Sequence, residues 1–327
     1  MRHIITGGSG FTGQILARKL LQAGNEVVNF DIKNFNDAEL EKNSQYIYGD
    51  IRSTNDIKKL NLHSDDVVYH LAARQFADAV PKRNRQDWFY EVNVDGTRNI
   101  LQEMMANGVT RMVFFSTDMT YGMVSSCPVS TDHPQNPLGP YGSGKVEAEK
   151  LIRSYKELNA TIFRPRLITG AGRLGVLGKL FRLIALNLPV PMIGNGLNHY
   201  QMVSVDDCVS AAMLAWQKNF PRETYNLGSF QPPTTKELLQ AVIKHAGSKS
   251  FVLPVPSGLI KPVLSALDKL GLTLLYPEQF AIADQNILLD CNKAMQELGW
   301  APSCSDIEAM CAAYDNFINI KKPNNES

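Results

Sequence analysis

The residues best suited to chemistry are a tyrosine and a lysine four positions apart, Tyr141 and Lys145. On a helix, side chains at this spacing lie on one face. A neighbouring ammonium favours phenolate, so the phenol pKa falls from about 10 toward neutral pH and the group can act as a general acid or base. The predicted strand before this helix ends at Ser116-Thr117-Asp118, whose hydroxyls can bind the same substrate oxygen.

A glycine-rich segment at residues 6–13 predicts a dinucleotide site, because it lies between an apolar strand and a helix that begins near Phe11. Gly7 allows a tight turn, Gly10 lets the backbone approach a pyrophosphate, and Gly13 lets helix and strand pack closely. The N–H groups and positive dipole end of the helix then favour phosphate.

An acidic residue ends the second predicted strand, at Asp31. A carboxylate at this place accepts hydrogen bonds from the adenosine ribose and repels a 2′-phosphate. Asp31 therefore favours NAD over NADP, although the nearby Lys33 weakens that preference.

Strand-like runs alternate with helical segments through the first half of the chain, which predicts an α/β fold with a Rossmann-type, doubly wound parallel sheet. Helices are expected over about 92–105 and 143–158, and late strands at 203–207 and 224–227. The pattern loosens after residue 165, so we expect a smaller, discontinuous C-terminal substrate lobe. The predicted division is a Rossmann domain at 1–165 with about 202–228, a substrate lobe at about 166–201 and 229–300, and a closing helix with a polar, disordered tail at 301–327.

The bulk composition limits the possible partners. The chain has 327 residues, 44% of them hydrophobic, and a net charge of +1, which gives no general attraction to nucleic acid or membranes. The apolar stretch 254–277 is interrupted by charges and prolines, so it predicts a helix of the substrate lobe rather than a membrane span.

Five scattered cysteines lack metal-ligand spacing, so we expect no metal. Cys304 and Cys311 are expected on one helix, as packing residues. Free thiols and a core strand that starts by residue 3, leaving no room for a signal peptide, predict a cytoplasmic protein.

Several short motifs together resemble the extended short-chain dehydrogenase/reductase family, in the subgroup of NAD-dependent epimerases and dehydratases that act on nucleotide sugars. The resemblance covers residues 1 to about 230 and continues loosely to about 302. The motifs are the glycine loop, Asp31, Gly49-Asp50-Ile51, His70-Leu71-Ala72-Ala73, Asn93-Val94-Asp95-Gly96-Thr97, Ser116-Thr117 with Tyr121-Gly122, and Tyr141 with Lys145.

The resemblance implies a catalytic set and a cofactor site. Tyr141 would exchange a proton with a sugar hydroxyl, Thr117 would hydrogen-bond the reacting oxygen, and Lys145 would hold the nicotinamide ribose. Asp50 and Ile51 would line the adenine. The implied NAD-binding residues are Gly7, Gly10, Phe11, Thr12, Gly13, Asp31, Asp50, Ile51, Leu71, Ala72, Ala73, Asn93, Tyr141, Lys145 and Pro165. The resemblance also implies a homodimer.

The chain departs from the family pattern at two places. The 4,6-dehydratases carry Asp-Glu after the threonine, whereas this chain has Asp118 and then Met119, which cannot transfer a proton. An arginine that clamps the diphosphate in many relatives is replaced by Tyr200, and arginine forks are not replaced by tyrosine without loss. The predicted substrate-binding residues are Arg74, Asp118, Met119, Arg166 and Tyr200.

The favoured function is an NAD-dependent nucleotide-sugar epimerase that acts at C4 through a transient keto sugar. The first alternative is a dehydrogenase or ketoreductase of a sugar nucleotide or of a hydrophobic, 3β-hydroxysteroid-like alcohol, which would suit Tyr200 and the apolar 254–277 segment. The second alternative is a non-catalytic NAD-sensing protein. Sensing needs only the glycine loop, so the catalytic triplet disfavours it.

Overall fold

Parallel strands and alternating helices make up the computed structural model, which describes residues 1–172 and 175–321. The strands in this part of the chain are β1 Arg2–Thr6, β2 Glu26–Asp31, β3 Gln45–Tyr48, β4 Val67–His70, β5 Arg111–Phe115, β6 Asn159–Pro165, β7 Leu167–Thr169, β8 Val190–Ile193, β9 Met202–Ser204, β10 Thr224–Leu227 and β11 Val252–Val255.

The α-helices in the same residues connect or follow these strands. They are α1 Phe11–Gln22, α2 Ala38–Asn43, α3 Thr54–Lys58, α4 Arg85–Tyr90, α5 Thr97–Ala106, α6 Pro140–Ser154, α7 Gly175–Ala185, α8 Val205–Gln217, α9 Thr235–His245, α10 Ser257–Lys269, α11 Pro277–Ala281 and α12 Asp306–Lys321. A π-helical turn at Glu91–Gly96 joins α4 to α5, and π-helical residues Ala294–Leu298 precede α12. None of these helices is long and apolar enough to cross a bilayer.

Seven strands form the central sheet in the order β10-β6-β5-β4-β1-β2-β3, and every neighbouring pair is parallel. The predicted Rossmann-type α/β fold is confirmed. Helices α1 and α8 cover one face with side chains such as Leu16 and Val209, while α5 and α6 cover the other with side chains such as Ile100 and Ile152. The strand order reverses between β1 and β4, where a doubly wound sheet binds its ligand at the carboxyl ends of the strands.

A third apolar cluster lies outside the central sheet. It joins α7, α9 and α12 through residues that include Phe181, Val242 and Met310. Two small parallel pairs, β8 with β11 and β7 with β9, also lie outside the main sheet. The boundaries predicted for the Rossmann domain, the substrate lobe and the closing helix remain a prediction.

Two local predictions were wrong. Residues 203–207 were expected as a strand, but the strand ends at Ser204 and a helix begins at Val205. The Ser204 hydroxyl accepts a hydrogen bond from Asp207 N–H at 3.0 Å, which is an N-cap. Cys304 does not share a helix with Cys311, because α12 begins only at Asp306.

A capping pair fixes that start of α12. The Ser305 hydroxyl accepts from Glu308 N–H at 3.2 Å, and the Glu308 carboxylate accepts from Ser305 N–H at 2.9 Å. The strand predicted at 224–227 is β10, with the predicted ends. The helix predicted at 143–158 is α6, which begins and ends earlier, and the 254–277 stretch contains α10. The disordered tail was predicted at 321–327; Lys321 is instead the last residue of α12, and 322–327 lie outside the described residues.

A buried ion pair attaches α6 to the central sheet. Glu149, 1% exposed, accepts from Arg164 Nε at 2.9 Å and from Arg164 Nη2 at 2.6 Å. The same carboxylate accepts from the Ser116 hydroxyl on the strand side and from Gln135 Nε2 at 3.1 Å. Arg164 also donates to the Tyr121 hydroxyl at 2.9 Å. Because all these groups are satisfied, the network holds α6 in one orientation.

We therefore expect Glu149→Ala to lower the free energy of unfolding by about 3–5 kcal/mol, since it leaves the Arg164 guanidinium buried without its partner. Glu147→Ala on the same helix is the control. Its exposed pair with Lys150 is worth about 1 kcal/mol or less. Urea unfolding of both variants measures the difference, and equal small losses would contradict the role assigned to Glu149.

Candidate active site

The loop after β1 forms a tight backbone cradle at the carboxyl edge of the sheet. Gly7 has φ +73°, and a Cβ there would lie 2.6 Å from Ala72 N. A Cβ on Gly13 would lie 2.5 Å from Gly8 O, so both glycines are required by close contacts. Gly10 is the N-cap residue of α1 and brings no side chain to cap it. This arrangement fits a dinucleotide phosphate and has the predicted form.

The Asp31 carboxylate lies beside this loop, where it accepts from Ser9 N–H at 3.0 Å and from Lys33 N–H at 3.2 Å. Burial raises the pKa of Asp31, and the backbone hydrogen bonds oppose that rise. The position at the end of β2 suits contact with ribose hydroxyls.

The predicted adenine-side residues differ from each other in their surroundings. Ile51 is buried, and its side chain fills the space beside Gly96, where a Cβ would lie 2.5 Å from Ile51 Cδ1. The Asp50 carboxylate is held by the Arg52 side chain at 2.6 Å. Hydrogen bonding and charge from Arg52 lower the pKa of Asp50.

A buried polar chain positions the segment after β4. Thr6 Oγ1 lies 2.6 Å from His70 Nδ1, and His70 Nε2 lies 2.9 Å from Thr97 Oγ1. Thr97 donates to Asn93 O at 2.8 Å. The Asn93 amide then accepts from Arg74 N–H at 2.8 Å and donates to Arg74 O at 3.1 Å. Leu71, Ala72 and Ala73 are thereby fixed against the glycine loop, as the cofactor prediction requires.

The guanidinium of Arg74 makes its contacts with other residues of the protein. It donates to Trp88 O, pairs with Glu91 Oε2 at 3.0 Å and lies 4.6 Å from the Trp88 ring centroid. Its predicted substrate role remains a prediction.

Lys145 is buried at the carboxyl end of β5. It is 3% exposed, donates to Phe115 O at 2.8 Å and lies 4.7 Å from the Phe114 ring centroid. Burial lowers the pKa of Lys145 to about 7, against the opposing charge of Glu149. The Lys145 amino group thus lies at the Phe115 carbonyl, and Phe115 is two residues before Thr117 in the chain.

Tyr141 lies on the first turn of α6, 8% exposed, inside an aromatic cluster. Its ring centroid is 5.2 Å from that of Phe76 and 5.7 Å from that of Phe89. Phe76 also stacks on Tyr276 at 4.9 Å. These rings limit the orientations open to the phenol and reduce its contact with water.

The end of β5 combines hydroxyl, carboxylate and guanidinium groups. The Thr117 hydroxyl donates to Asp118 Oδ1 at 3.3 Å and accepts from Met119 N–H at 3.3 Å. Asp118 is ion-paired with Arg166, whose guanidinium carbon lies 5.1 Å from the Tyr200 ring centroid. The structure therefore brings four of the five predicted substrate residues together, whereas Arg74 pairs elsewhere. Pro165 ends β6 and immediately precedes Arg166.

Arg166 has unused hydrogen-bonding capacity. It is 4% exposed, and its Nε and Nη2 have no hydrogen-bond partner among the described residues. Unsatisfied buried donors are costly, so these N–H groups are suited to an oxygen-bearing ligand.

Sequence reasoning missed Glu278, which caps the helix that carries Tyr141. Its Oε1 accepts from Tyr141 N–H and its Oε2 from Gly142 N–H, each at 3.2 Å. The N-cap position of α6 is Gly139, and a Cβ there would lie 2.4 Å from the Glu278 carboxyl carbon. Burial raises the pKa of Glu278, while the two N–H groups oppose the rise. The missing capping side chain at Gly139 was the only sequence signal, and it could not reveal a partner that lies 137 positions after Tyr141.

Comparison with known proteins agrees with this geometry. The NAD dependent epimerase/dehydratase family matches residues 3–228, and the chain belongs to this family. NAD is the cofactor of the family, and the glycine cradle with Asp31 fits it.

Two curated relatives are similar to most of the chain. An uncharacterized protein, y4nG, of Sinorhizobium fredii is 34% identical over 95% of this chain and 77% of its own length. The N-acetyl-alpha-D-glucosaminyl-diphospho-ditrans,octacis-undecaprenol 4-epimerase of Escherichia coli O157:H7 is 30% identical over 79% of this chain and 76% of its own. Among solved structures, a UDP-glucuronic acid 4-epimerase from Bacillus cereus in complex with NAD has a TM-score of 0.79 and 24% identity, covering 98% of this chain and 100% of that one. That likeness supports the fold.

We expect Gly139→Ser and Glu278→Ala each to destabilise the protein, the first by collision and the second by removing an acceptor for two N–H groups. Loss of a helix cap costs about 1 kcal/mol. The double variant should be more stable than the sum of the two losses predicts, because the serine hydroxyl then has room to cap α6 itself. Thermal unfolding of the four proteins measures this coupling, and strictly additive losses would show that the two residues do not share one site.

Proposed function

We propose that this protein is an NAD-dependent nucleotide-sugar epimerase that inverts C4 through a keto sugar. The observation that carries the proposal is the placement of Tyr141, Lys145 and Thr117 at the same sheet edge as the dinucleotide cradle. Membership of the epimerase/dehydratase family supports it. Met119, at the position of the dehydratase glutamate, argues against the 4,6-dehydratase reaction.

The side chains divide the proton chemistry between them. When bound, NAD supplies a reversible hydride acceptor. Tyr141 takes the proton from the C4 hydroxyl and returns it after the sugar has turned. Thr117 hydrogen-bonds the same oxygen, and the charge on Lys145 favours the phenolate of Tyr141. The aromatic rings of Phe76 and Phe89 keep water away from the phenol.

Arg166 is the proposed contact for an anionic or carbonyl oxygen of the substrate. The N–H groups on its Nε and Nη2 have no partner among the described residues. Together with the neighbouring Tyr200 they supply a polar site where the sequence lacks the diphosphate-clamping arginine of relatives. Asp118 holds the guanidinium in place by its buried ion pair. The protein is further proposed to be a homodimer, as the resemblance to the family implies, and to be cytoplasmic, as the free thiols and the early core strand predict.

One observation favours a second substrate form, a sugar carried on a polyprenyl diphosphate. Helix α10 exposes apolar side chains that include Leu259, 69% exposed, and Leu270, 71% exposed. The Escherichia coli relative is named for a lipid-linked substrate of this kind.

The purified protein should be incubated with UDP-glucose, UDP-N-acetylglucosamine, UDP-glucuronic acid and a polyprenyl diphosphate sugar, with products analysed by NMR and mass spectrometry. We expect a C4 epimer from at least one of them, with no accumulation of free NADH. Stoichiometric NADH would instead identify the dehydrogenase alternative. Bound NAD without any turnover would favour the sensing alternative.

We expect Tyr141→Phe to reduce turnover by about 10²–10⁴-fold, the range typical for loss of a general acid or base. NAD affinity should stay near normal, because the glycine cradle and Asp31 are unchanged. Tyr90→Phe is the control, since it removes a phenol hydroxyl from a ring that packs near Gly144 of the same helix. Single-turnover hydride transfer and NAD titration test both variants, and near-normal transfer in Tyr141→Phe would exclude Tyr141 as the proton carrier.

A further inference from the structure

The outward side of α10 is apolar, which is the reverse of an ordinary surface helix. Its exposed positions are Gly258, Leu259, Pro262, Val263, Ala266, Lys269 and Leu270, and they recur at helical spacing. Leu259 is 69%, Val263 52% and Leu270 71% exposed. The inward side carries Leu264, which is 5% exposed. Apolar side chains therefore lie on both the inward and the outward side of α10, whereas a surface helix normally turns its polar side toward solvent.

The apolar surface continues beyond the helix. Leu272 is 61% and Leu274 is 55% exposed. We call the surface formed by Leu259, Val263, Leu270, Leu272 and Leu274 the α10 face. Exposed apolar side chains grouped on one surface mark a site of interaction with protein or membrane.

Three exposed lysines border the α10 face. Lys269 lies on α10 itself. The Lys82 side chain lies against Gly271, where an added Cβ would be 2.7 Å from Lys82 Nζ. Lys179 Nζ donates to Leu274 O at 3.1 Å. Within residues 1–172 and 175–321, none of these three ammonium groups has an ion-pair partner.

Acidic groups are scarce in the same region. Between residues 249 and 277 the sequence has three lysines and one carboxylate, Asp268. That carboxylate is already used, because both of its oxygens accept from Arg85, at 2.7 and 2.8 Å. Lys261 on α10 is also paired, with Asp284 at 2.6 Å. Among the described residues, the unpaired charges beside the α10 face are therefore those of Lys82, Lys179 and Lys269, although the whole chain has a net charge of only +1.

We propose that the α10 face docks on a membrane surface that contains anionic lipids. Apolar side chains flanked by lysines match the boundary between acyl chains and anionic headgroups. A two-fold contact between copies of this face would instead bring lysines of one copy near lysines of the other. The charge pattern thus favours lipid over a second copy of the chain.

A series of side-chain contacts joins α10 to the aromatic cluster around Tyr141. Arg85 joins α4 to Asp268 of α10, and its guanidinium carbon lies 5.3 Å from the Tyr276 ring centroid. Tyr276 stacks on Phe76, which contacts Tyr141. The apolar helix is therefore linked to the reacting phenol by a short chain of packed side chains, a geometry suited to a substrate with a lipid tail.

The test is co-flotation of the 327-residue chain with vesicles of phosphatidylcholine, with and without phosphatidylglycerol. We expect binding to the anionic vesicles that weakens as salt is added. Replacing Leu259, Val263 and Leu270 by serine should weaken binding by about tenfold per side chain. Replacing Lys82, Lys179 and Lys269 by glutamine should weaken it by about fivefold per charge.

The matched control is Leu197→Ser with Ile320→Ser, which removes two apolar side chains, 65% and 63% exposed, that do not belong to the α10 face. It should bind vesicles like the unaltered protein. Absence of vesicle binding, or binding that the α10 substitutions leave unchanged, would overturn the proposal. So would a dimer that the serine substitutions dissociate, since a second copy would then cover the face. Turnover of a water-soluble nucleotide sugar by the same variants reports separately on the proposed reaction.

Discussion

The buried pair of Glu149 and Arg164 is the interaction on which the arrangement of the site depends. It fixes the middle of α6 to β6, and Ser116 ties the same carboxylate to the end of β5. Breaking one side of such a pair costs far more than an exposed ion pair contributes, because the remaining charge stays buried. Glu149 lies one helical turn after Lys145, and its charge opposes the lowering of the Lys145 pKa by burial. The ion pair therefore contributes to the electrostatics of the site as well as to its geometry.

Two further contacts complete the fixation of α6. Lys145 reaches the backbone of β5 at Phe115, and Glu278 caps the first turn from a distant part of the chain. Tyr141 is thus held between an anchored helix end and an aromatic cluster. A general acid or base needs this kind of fixed geometry, because proton transfer requires the donor and acceptor to lie within hydrogen-bond reach.

The sequence predicted the parts of the protein that rest on local patterns. The alternation of strand-like and helical segments predicted the parallel sheet. The spacing of the glycines predicted the backbone cradle at Gly7 and Gly13. The start of α8 at Val205 was not predicted, because Val203 and Val205 favour a strand. The N-cap formed by Ser204 ends the strand there instead. Glu278 and the Asp118–Arg166 pair were not predictable, since each joins residues that are distant in sequence. The 254–277 stretch was predicted only as a helix of the substrate lobe, so the exposure of its apolar side chains was not predicted.

The central claim is that the protein inverts a sugar carbon by removing and returning the same hydride. The most direct measurement is turnover of UDP-hexose that carries deuterium at C4, followed by NMR and mass spectrometry of the product. The account predicts an inverted product that keeps its deuterium at C4. Deuterium released with free NADH, or lost to water, would contradict it.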